Sequence, residues 1–219
     1  MTIKERPIIF SGDMVRAILD GRKTQTRRVV KAARDRNGSG CELAPCEIAG
    51  EVNGADPDYS FCPYGQPGDR LWVRESFCEA LSNYEEEREQ TTVYYRADGQ
   101  EVVVDDGDGY AETNKDGTLK SPWKPSIHMP RWASRITLEI TDIRVERLQD
   151  ISEDDADSEC FGGDIPGNIF PDLFPGNFDA WGHLSIPECF GRVWDAINGQ
   201  GSWSANPWVW VLEFKRLAP

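Results

Sequence analysis

The longest alternating pattern in the chain constrains the fold more than any other segment. Over residues 134–148, SRITLEITDIRVERL, the apolar residues Ile136, Leu138 and Ile140 alternate with polar ones. This period of two predicts a half-buried β-strand. The apolar phase then moves to Ile143 and Val145, so we expect a bend or a β-bulge between the two halves.

Other segments predict further strands and helices around this strand. Alternating or β-branched residues favour strands at 22–30, 71–77, 91–98 and 206–217. One helix is expected between Ser11 and Gly21, and an acidic helix after Ser152. The segment 187–199, PECFGRVWDAING, predicts another helix, with Phe190, Val193, Trp194 and Ile197 on one face.

The order of these segments shows no regular alternation of strand and helix, which argues against a doubly wound parallel sheet. We therefore predict an α+β fold, a small and mainly antiparallel β-barrel with helices at its ends. A length of 219 residues suits a single domain over 1–219. Segments rich in Gly, Pro, Asn and Asp indicate loop insertions at about 32–62, 79–121 and 161–185.

Composition excludes several classes of protein. Hydrophobic residues make up 39% of the chain and charged residues 28%, which is typical of a globular protein. No apolar run approaches the roughly 18 residues of a membrane span, and the first residues do not resemble a signal peptide. We expect a cytoplasmic protein that does not enter a membrane.

The charge distribution is uneven. The formal net charge is −14, which excludes nonspecific binding of nucleic acid through bulk charge. Residues 16–36 nevertheless hold eight cations and two acids. A local cationic strip on an acidic body favours capture of an anionic ligand, and its alternative is an ordinary solvated surface.

The six cysteines predict free thiols, because disulfides are rare in cytoplasmic chains of this size. Cys41, Cys46 and Cys62 are weak candidates for a zinc site, with His128 as a possible fourth ligand. No C-x2-C pair is present to begin such a site, so we expect no metal and no cofactor.

The sharpest local motif is GRKTQTRR at 21–28, which follows a helix stop. A lysine three residues before a threonine can reach its hydroxyl if the loop curls. A desolvated Lys23 beside arginines loses its proton more readily, and an activated Thr26 can attack a carbonyl. The alternative is an ordinary strand edge, since K-x-x-T is a common pattern.

Several segments together resemble the ASCH domain, a branch of the PUA-like superfamily. They are AILDGRKTQTRR, GQPGDRLWVRE and the terminal WVWVLEFKRL, and the resemblance covers about 5–31, 62–78, 121–160 and 186–217. The segment WKPSIHMPRWASRITLEITDIRVERLQDIS is most similar to uncharacterised ASCH-like proteins of bacteriophages and prophages. This resemblance implies a PUA-like barrel in the host cytoplasm, with a pocket for a nucleoside, a nucleotide or RNA.

The resemblance also implies a reaction. One compact bacterial ASCH branch hydrolyses N(4)-acetylcytidine with a Lys, Thr and Glu triad and without a cofactor. Its motif matches Lys23 and Thr26 here, and its glutamate, three residues after an alanine, matches Glu159 after Ala156. Glu153 is the alternative acid if the helix has another register. The predicted ligand contacts are Arg22, Arg27, Arg28, Glu75, His128, Arg131, Trp132 and Arg135.

Two other functions remain open at this stage. A noncatalytic RNA-binding module requires Arg27, Arg28, Arg131 and Arg135 on one open face, beside aromatic residues such as Trp132. A phage protein that docks onto a host protein requires an exposed apolar patch and no triad. The structural alternatives are that His128 is an ordinary structural histidine and that Trp132 belongs to the core.

Overall fold

The predicted long strand lies in the middle of the main sheet. The computed structural model describes residues 2–34, 42–82, 90–99, 101–104, 123–161, 166–175 and 182–218. Its five-stranded sheet has the order β1-β5-β9-β10-β2. The strands are β1 (Glu5–Ile9), β2 (Gln25–Val29), β5 (Arg70–Arg74), β9 (Thr137–Arg147) and β10 (Trp208–Arg216). Only β1 and β5 are parallel among these pairs, so the sheet is mostly antiparallel.

The expected β-bulge is present in β9. Glu213 of β10 lies opposite Asp142, whereas the next residue, Phe214, lies opposite Ile140, so the register passes over Thr141. Thr141 and Asp142 are both exposed, and Ile140 and Ile143 on either side are both buried. The extra residue therefore keeps one face of a long strand apolar on both sides of the bend.

The helices begin and end where their capping residues predict. In α1 (Gly12–Leu19) the Ser11 side chain accepts a hydrogen bond from the backbone of Met14. In α3 (Glu153–Ala156) Ser152 caps the first turn, and the chain continues as a π-helical turn over Asp157–Phe161. In α5 (Ile186–Asn198) a Ser185–Glu188 capping box opens the helix. Gly199, with φ +101°, follows its last residue, since a glycine adopts this conformation without strain.

The two faces of the sheet pack against different cores. Trp210, Leu212 and Phe214 point into a core that also holds α1 and the buried residues of β1 and β5. Val209 and Val211 point the other way, into a core built on α5 and the π-helical turn. β10 is thus buried on both faces, which explains its nearly continuous apolar sequence.

A close approach in the α5 core gives a test of this packing. A Cβ on Gly191 would lie 2.9 Å from two ring atoms of Trp203, whereas a Cβ on Gly50 would meet no atom within 4 Å. We expect Gly191→Ala to lower the free energy of unfolding by about 1–3 kcal/mol, because the indole must shift. Gly50→Ala, in an exposed helical position, is the control and should raise stability by up to about 1 kcal/mol. Urea unfolding measures both, and equal effects would contradict the packing.

The three predicted insertions contain more regular structure than expected. The region 32–62 includes β3 (Ala33–Arg34), β4 (Glu42–Leu43) and α2 (Pro45–Val52), and Ile48, Ala49 and Val52 of α2 are buried in the first core. The region 79–121 contributes to a second antiparallel sheet of β6 (Phe77–Ser82), β7 (Gln90–Tyr95) and β8 (Glu101–Val104). The region 161–185 holds α4 (Pro166–Ile169). Regular structure therefore occurs within the described parts of all three regions, and β7 lies where the sequence predicted a strand at 91–98.

The α+β class and the mostly antiparallel main sheet are confirmed. Within the described residues, β1 and β2 end the main sheet and do not pair with each other. Arg28 of β2 nevertheless donates a hydrogen bond to the Ile9 carbonyl of β1 at 2.7 Å, so the two ends of the sheet approach one another. Of the helices in the described ranges, none has the length and apolarity needed to cross a membrane.

Candidate functional site

Lys23 lies in the turn between α1 and β2, at the free edge of the sheet. Its side chain is only 3% exposed. Its Nζ donates to the carbonyl of Gln25 at 2.7 Å and to the backbone carbonyl of Glu159 at 2.6 Å. β2 is the last strand of the sheet, so the Gln25 carbonyl faces away from the sheet. Lys23 links this carbonyl to the π-helical turn through its two hydrogen bonds. Burial lowers the pKa of Lys23, although the charge of Glu159 acts in the opposite direction.

Glu159 covers the same edge with its side chain. Its Oε1 accepts from the backbone N–H of Arg27 at 2.7 Å, and its Oε2 accepts from Nη1 of Arg27 at 2.8 Å. The residue is 3% exposed, whereas Glu153 is exposed at the start of α3. Of the two acids proposed from the sequence, Glu159 is therefore the one that contacts Lys23. This contact is made by the backbone carbonyl of Glu159, whereas its carboxylate contacts Arg27.

Thr26 is buried on the other face of β2 from Arg27. It is 1% exposed and lies opposite Leu212 of β10. Its Oγ1 has no hydrogen-bond partner among the described residues. Lys23 and Glu159 thus meet at the edge of β2 through a backbone carbonyl, whereas the Thr26 side chain lies on the face of β2 opposite the Arg27 side chain that holds the Glu159 carboxylate. The lysine bonds carbonyl groups and does not bond the threonine hydroxyl.

Arg27 is the centre of a charged network that the sequence did not indicate. Its side chain is fully buried and donates to Gln25, Glu146, Asp155 and Glu159 at 2.6–3.2 Å. Burial alone would lower the pKa of Arg27, but Glu159 and Glu146 raise it above its ordinary value. The network continues through Arg144, which donates to Glu146, Asp155 and Glu213. It ties β2, β9 and β10 to the acidic helix α3.

A second buried ion pair lies at the end of β5. Glu75 accepts two hydrogen bonds from Arg135, both at 2.9 Å, and Arg135 also donates to Asp98 at 2.8 and 3.0 Å. The guanidinium lies 4.0 Å from the ring centre of Tyr95. Burial raises the pKa of Glu75 despite the opposing effect of Arg135. Glu75 and Arg135 are therefore brought together, but apart from the group around Lys23.

The other predicted ligand contacts are scattered. Arg22 pairs with Asp20 at 2.9 Å, and Arg131 pairs with Glu5 at 2.9 Å. His128 is exposed, and Trp132 is 42% exposed, so Trp132 does not belong to the core. The four arginines proposed for an RNA surface do not share one open face, because Arg27 is buried and the guanidinium of Arg135 is held by Glu75 and Asp98.

Two cavities border the Lys23 region. The cavity named here the α5 cavity has about 220 Å³, and the one named the α1 cavity has about 540 Å³. The first is lined by Arg27, Arg28, Glu159, Phe190, Trp194 and Ile197. The second is lined by Phe10, Ser11, Arg16, Glu75, Arg96 and Ser126. Only the α1 cavity falls within the roughly 300–1,000 Å³ usual for small-molecule sites.

The candidate zinc ligands do not form a site in the described part of the chain. Cys41 lies outside the described residues, Cys46 is exposed and Cys62 is buried. Burial raises the pKa of the Cys62 thiol to about 11. Among the described residues, no group of three His, Cys, Asp or Glu side chains could hold a metal ion.

No family model, curated protein or solved structure matches the chain.

Proposed function

We propose that this chain is an ASCH-like hydrolase that removes an acyl group from the exocyclic nitrogen of a cytidine. Thr26 is the nucleophile, Lys23 is the base, and Glu159 carries a proton to the leaving nitrogen. The observation that carries the proposal is the Thr26 hydroxyl, which is buried three residues after the buried Lys23 and has no hydrogen-bond partner among the described residues. An unsatisfied buried polar group costs stability, and such groups are often explained by function.

The environment of Lys23 suits a base. A neutral amine has two N–H groups and one lone pair. The carbonyls of Gln25 and Glu159 accept the two N–H groups, which leaves the lone pair available to a hydroxyl. Burial favours this neutral form by lowering the pKa of Lys23.

The proposed reaction balances with water as the only co-reactant. Thr26 Oγ1 forms a bond to the acyl carbon while Lys23 takes the hydroxyl proton. The C–N bond then breaks, and the proton is carried to the exocyclic nitrogen by Glu159. Water hydrolyses the acyl-threonine, releases the carboxylic acid and restores the hydroxyl. Because Arg27 holds both oxygens of Glu159, one of these contacts must be exchanged during the proton transfer.

The PUA-like barrel and the host cytoplasm as location belong to the same proposal. The approach of β1 and β2 through Arg28 and Ile9 supports a sheet that curls towards closure. No comparable observation among the described residues favours the RNA-binding module, since two of its four arginines, Arg27 and Arg135, are held in ion pairs with acids of this chain. Docking onto a protein is not favoured either, because only two of the large apolar side chains that are exposed among the described residues, Val29 and Ile197, line the same cavity.

The direct test is hydrolysis of N(4)-acetylcytidine by the purified chain. We expect release of cytidine and acetate, and a loss of at least about 10³-fold in kcat/KM for Lys23→Met, since the base is removed. Lys215→Met is the matched control, because Lys215 is an exposed lysine of β10 that pairs only with Glu139 among the described residues. Undiminished acetate release by Lys23→Met would overturn the mechanism.

The pH dependence of kcat/KM tests independently whether Lys23 is the base. The neutral fraction of Lys23 increases as the pH rises through the pKa of the folded protein. Because burial lowers that pKa from its ordinary value of 10.5, kcat/KM should rise with pH and level off below pH 10.5. A rising limb at or above pH 10.5 would contradict Lys23 as the base.

A further inference from the structure

The α1 cavity is the larger of the two cavities, and its walls are those of a built polar site. It lies where the end of β1, the start of α1 and the segment after β5 meet. Ser11, Ser76 and Ser126 supply hydroxyl groups, and Arg96 is exposed at its rim. Phe10 contributes an apolar wall. A cavity of about 540 Å³ with polar side chains and one apolar wall suits a ligand the size of a nucleoside.

Glu75 gives this cavity a fixed hydrogen-bond acceptor. The residue is 2% exposed, and the two hydrogen bonds from Arg135 hold its carboxylate in one orientation. Asp98 and the ring of Tyr95 hold Arg135 in turn. Each carboxylate oxygen can accept a second hydrogen bond. The acceptor therefore fits a ligand that presents hydrogen-bond donors, such as the sugar hydroxyl groups of a nucleoside.

Phe10 separates this cavity from the lysine. Its ring centre lies 5.6 Å from Nζ of Lys23 and 5.2 Å from the guanidinium carbon of Arg28. The ring also packs against Phe214, and it is 3% exposed. Neither Lys23 nor Thr26 lines either cavity. Among the described contacts of Lys23, Phe10 is the one that also faces the α1 cavity.

We infer that the ligand binds in the α1 cavity with the hydroxyl groups of its sugar on Glu75, and that Phe10 is the wall between it and Lys23. This inference rests on the proposed function for the identity of the ligand. Phe10 then acts as a specificity-determining residue, because movement of its ring sets how large an acyl group reaches Thr26. The alternative route runs through the α5 cavity, past Phe190 and Glu159.

Reductive methylation of lysines tests this wall without any need for catalysis. Formaldehyde and cyanoborohydride label accessible neutral amines, and peptide mass spectrometry reads each lysine separately. We expect Lys23 to be protected in the wild type and labelled at least 10-fold faster in Phe10→Ala. Phe190→Ala is the matched control, since it removes an equally buried phenylalanine from the α5 cavity. Exposed Lys215 should be labelled equally in all proteins.

The labelling rates of Lys23 in Phe10→Ala and Phe190→Ala together decide whether Phe10 is the wall. No increase in Phe10→Ala, or an equal or larger increase in Phe190→Ala, would overturn the inference. If Phe10→Ala does not fold, Phe10→Leu keeps more of the packing and should show an increase of at least 3-fold. Saturating cytidine should then slow the methylation of Lys23 in Phe10→Leu but not in Phe10→Leu/Glu75→Gln. Equal slowing in the two variants would show that Glu75 does not contact the ligand.

The substrate range separates this inference from the proposed function. Phe10→Leu should raise the ratio of kcat/KM for N(4)-benzoylcytidine over N(4)-acetylcytidine at least 10-fold, since steric selectivity in a pocket is of this order. A wild type that hydrolyses neither compound would refute the proposed function. The labelling of Lys23 would still decide the role of Phe10.

Discussion

Thr26→Val should abolish hydrolysis of N(4)-acetylcytidine while leaving the protein at least as stable as the wild type. Valine has nearly the shape of threonine, and both favour β-strands, so the packing against Leu212 should persist. The lost hydroxyl is buried and makes no hydrogen bond among the described residues. Its removal should therefore raise the free energy of unfolding by up to about 1–3 kcal/mol. Loss of the nucleophile should lower kcat/KM by at least about 10³-fold.

Two variants keep this result interpretable. Thr26→Ser retains a hydroxyl and should retain measurable turnover. Thr24→Val makes the same chemical change two residues away at an exposed position, and should alter neither activity nor stability appreciably. Urea unfolding and acetate release are the two measurements. Full turnover by Thr26→Val would end the catalytic proposal, and a loss of stability above about 1 kcal/mol would show that the hydroxyl has a partner.

Arg27→Met should produce the largest loss of stability of any single substitution in the charged network. The Arg27 side chain is fully buried, and its removal leaves the carboxylate of Glu159, only 4% exposed, without its cation. Breaking a buried ion pair from one side costs about 3–5 kcal/mol, because the remaining charge is neither hydrated nor paired. Glu146 and Asp155 are partly exposed, so water can compensate for their loss of Arg27.

The double variant Arg27→Met/Glu159→Gln tests this explanation. It removes both charges and should be more stable than Arg27→Met, because the two residues are directly coupled. Lys215→Ala is the control for an exposed pair of the same sheet, with Glu139, and should cost less than about 1 kcal/mol. Urea midpoints at constant slope give all three values. A loss below about 1 kcal/mol for Arg27→Met would mean that the network is not a source of stability.

Local sequence patterns predicted much of the frame correctly. Ser11 and Ser152, the two predicted caps, accept hydrogen bonds from the first turn of their helices, so these helix starts can be read from neighbouring residues. The Ser185 cap of α5 was not predicted. The bulge in β9 also follows from a local shift of phase. Glu159 could be proposed because it follows Ala156 by three residues, as the resemblance to the ASCH domain implies.

The missed elements have a common physical cause. Helix α2 has only three buried residues, Ile48, Ala49 and Val52, and is stabilised by the core that it covers. Arg27 belongs to a basic strip in sequence, and nothing local distinguishes it from the exposed residues of that strip. Its burial depends on Glu146, Asp155 and Glu159, which lie more than 100 residues away.

The sequence by itself determined the class of fold, the positions of α1, α3 and α5 and the central strand, because these depend on contacts between near neighbours in the chain. The tertiary structure alone decided which charges are buried. It paired Arg27 with Glu159 and Arg135 with Glu75, and it left Thr26 without a partner among the described residues. The reason is that the free energy of a charge depends on burial and on distant partners, neither of which is fixed by neighbouring residues.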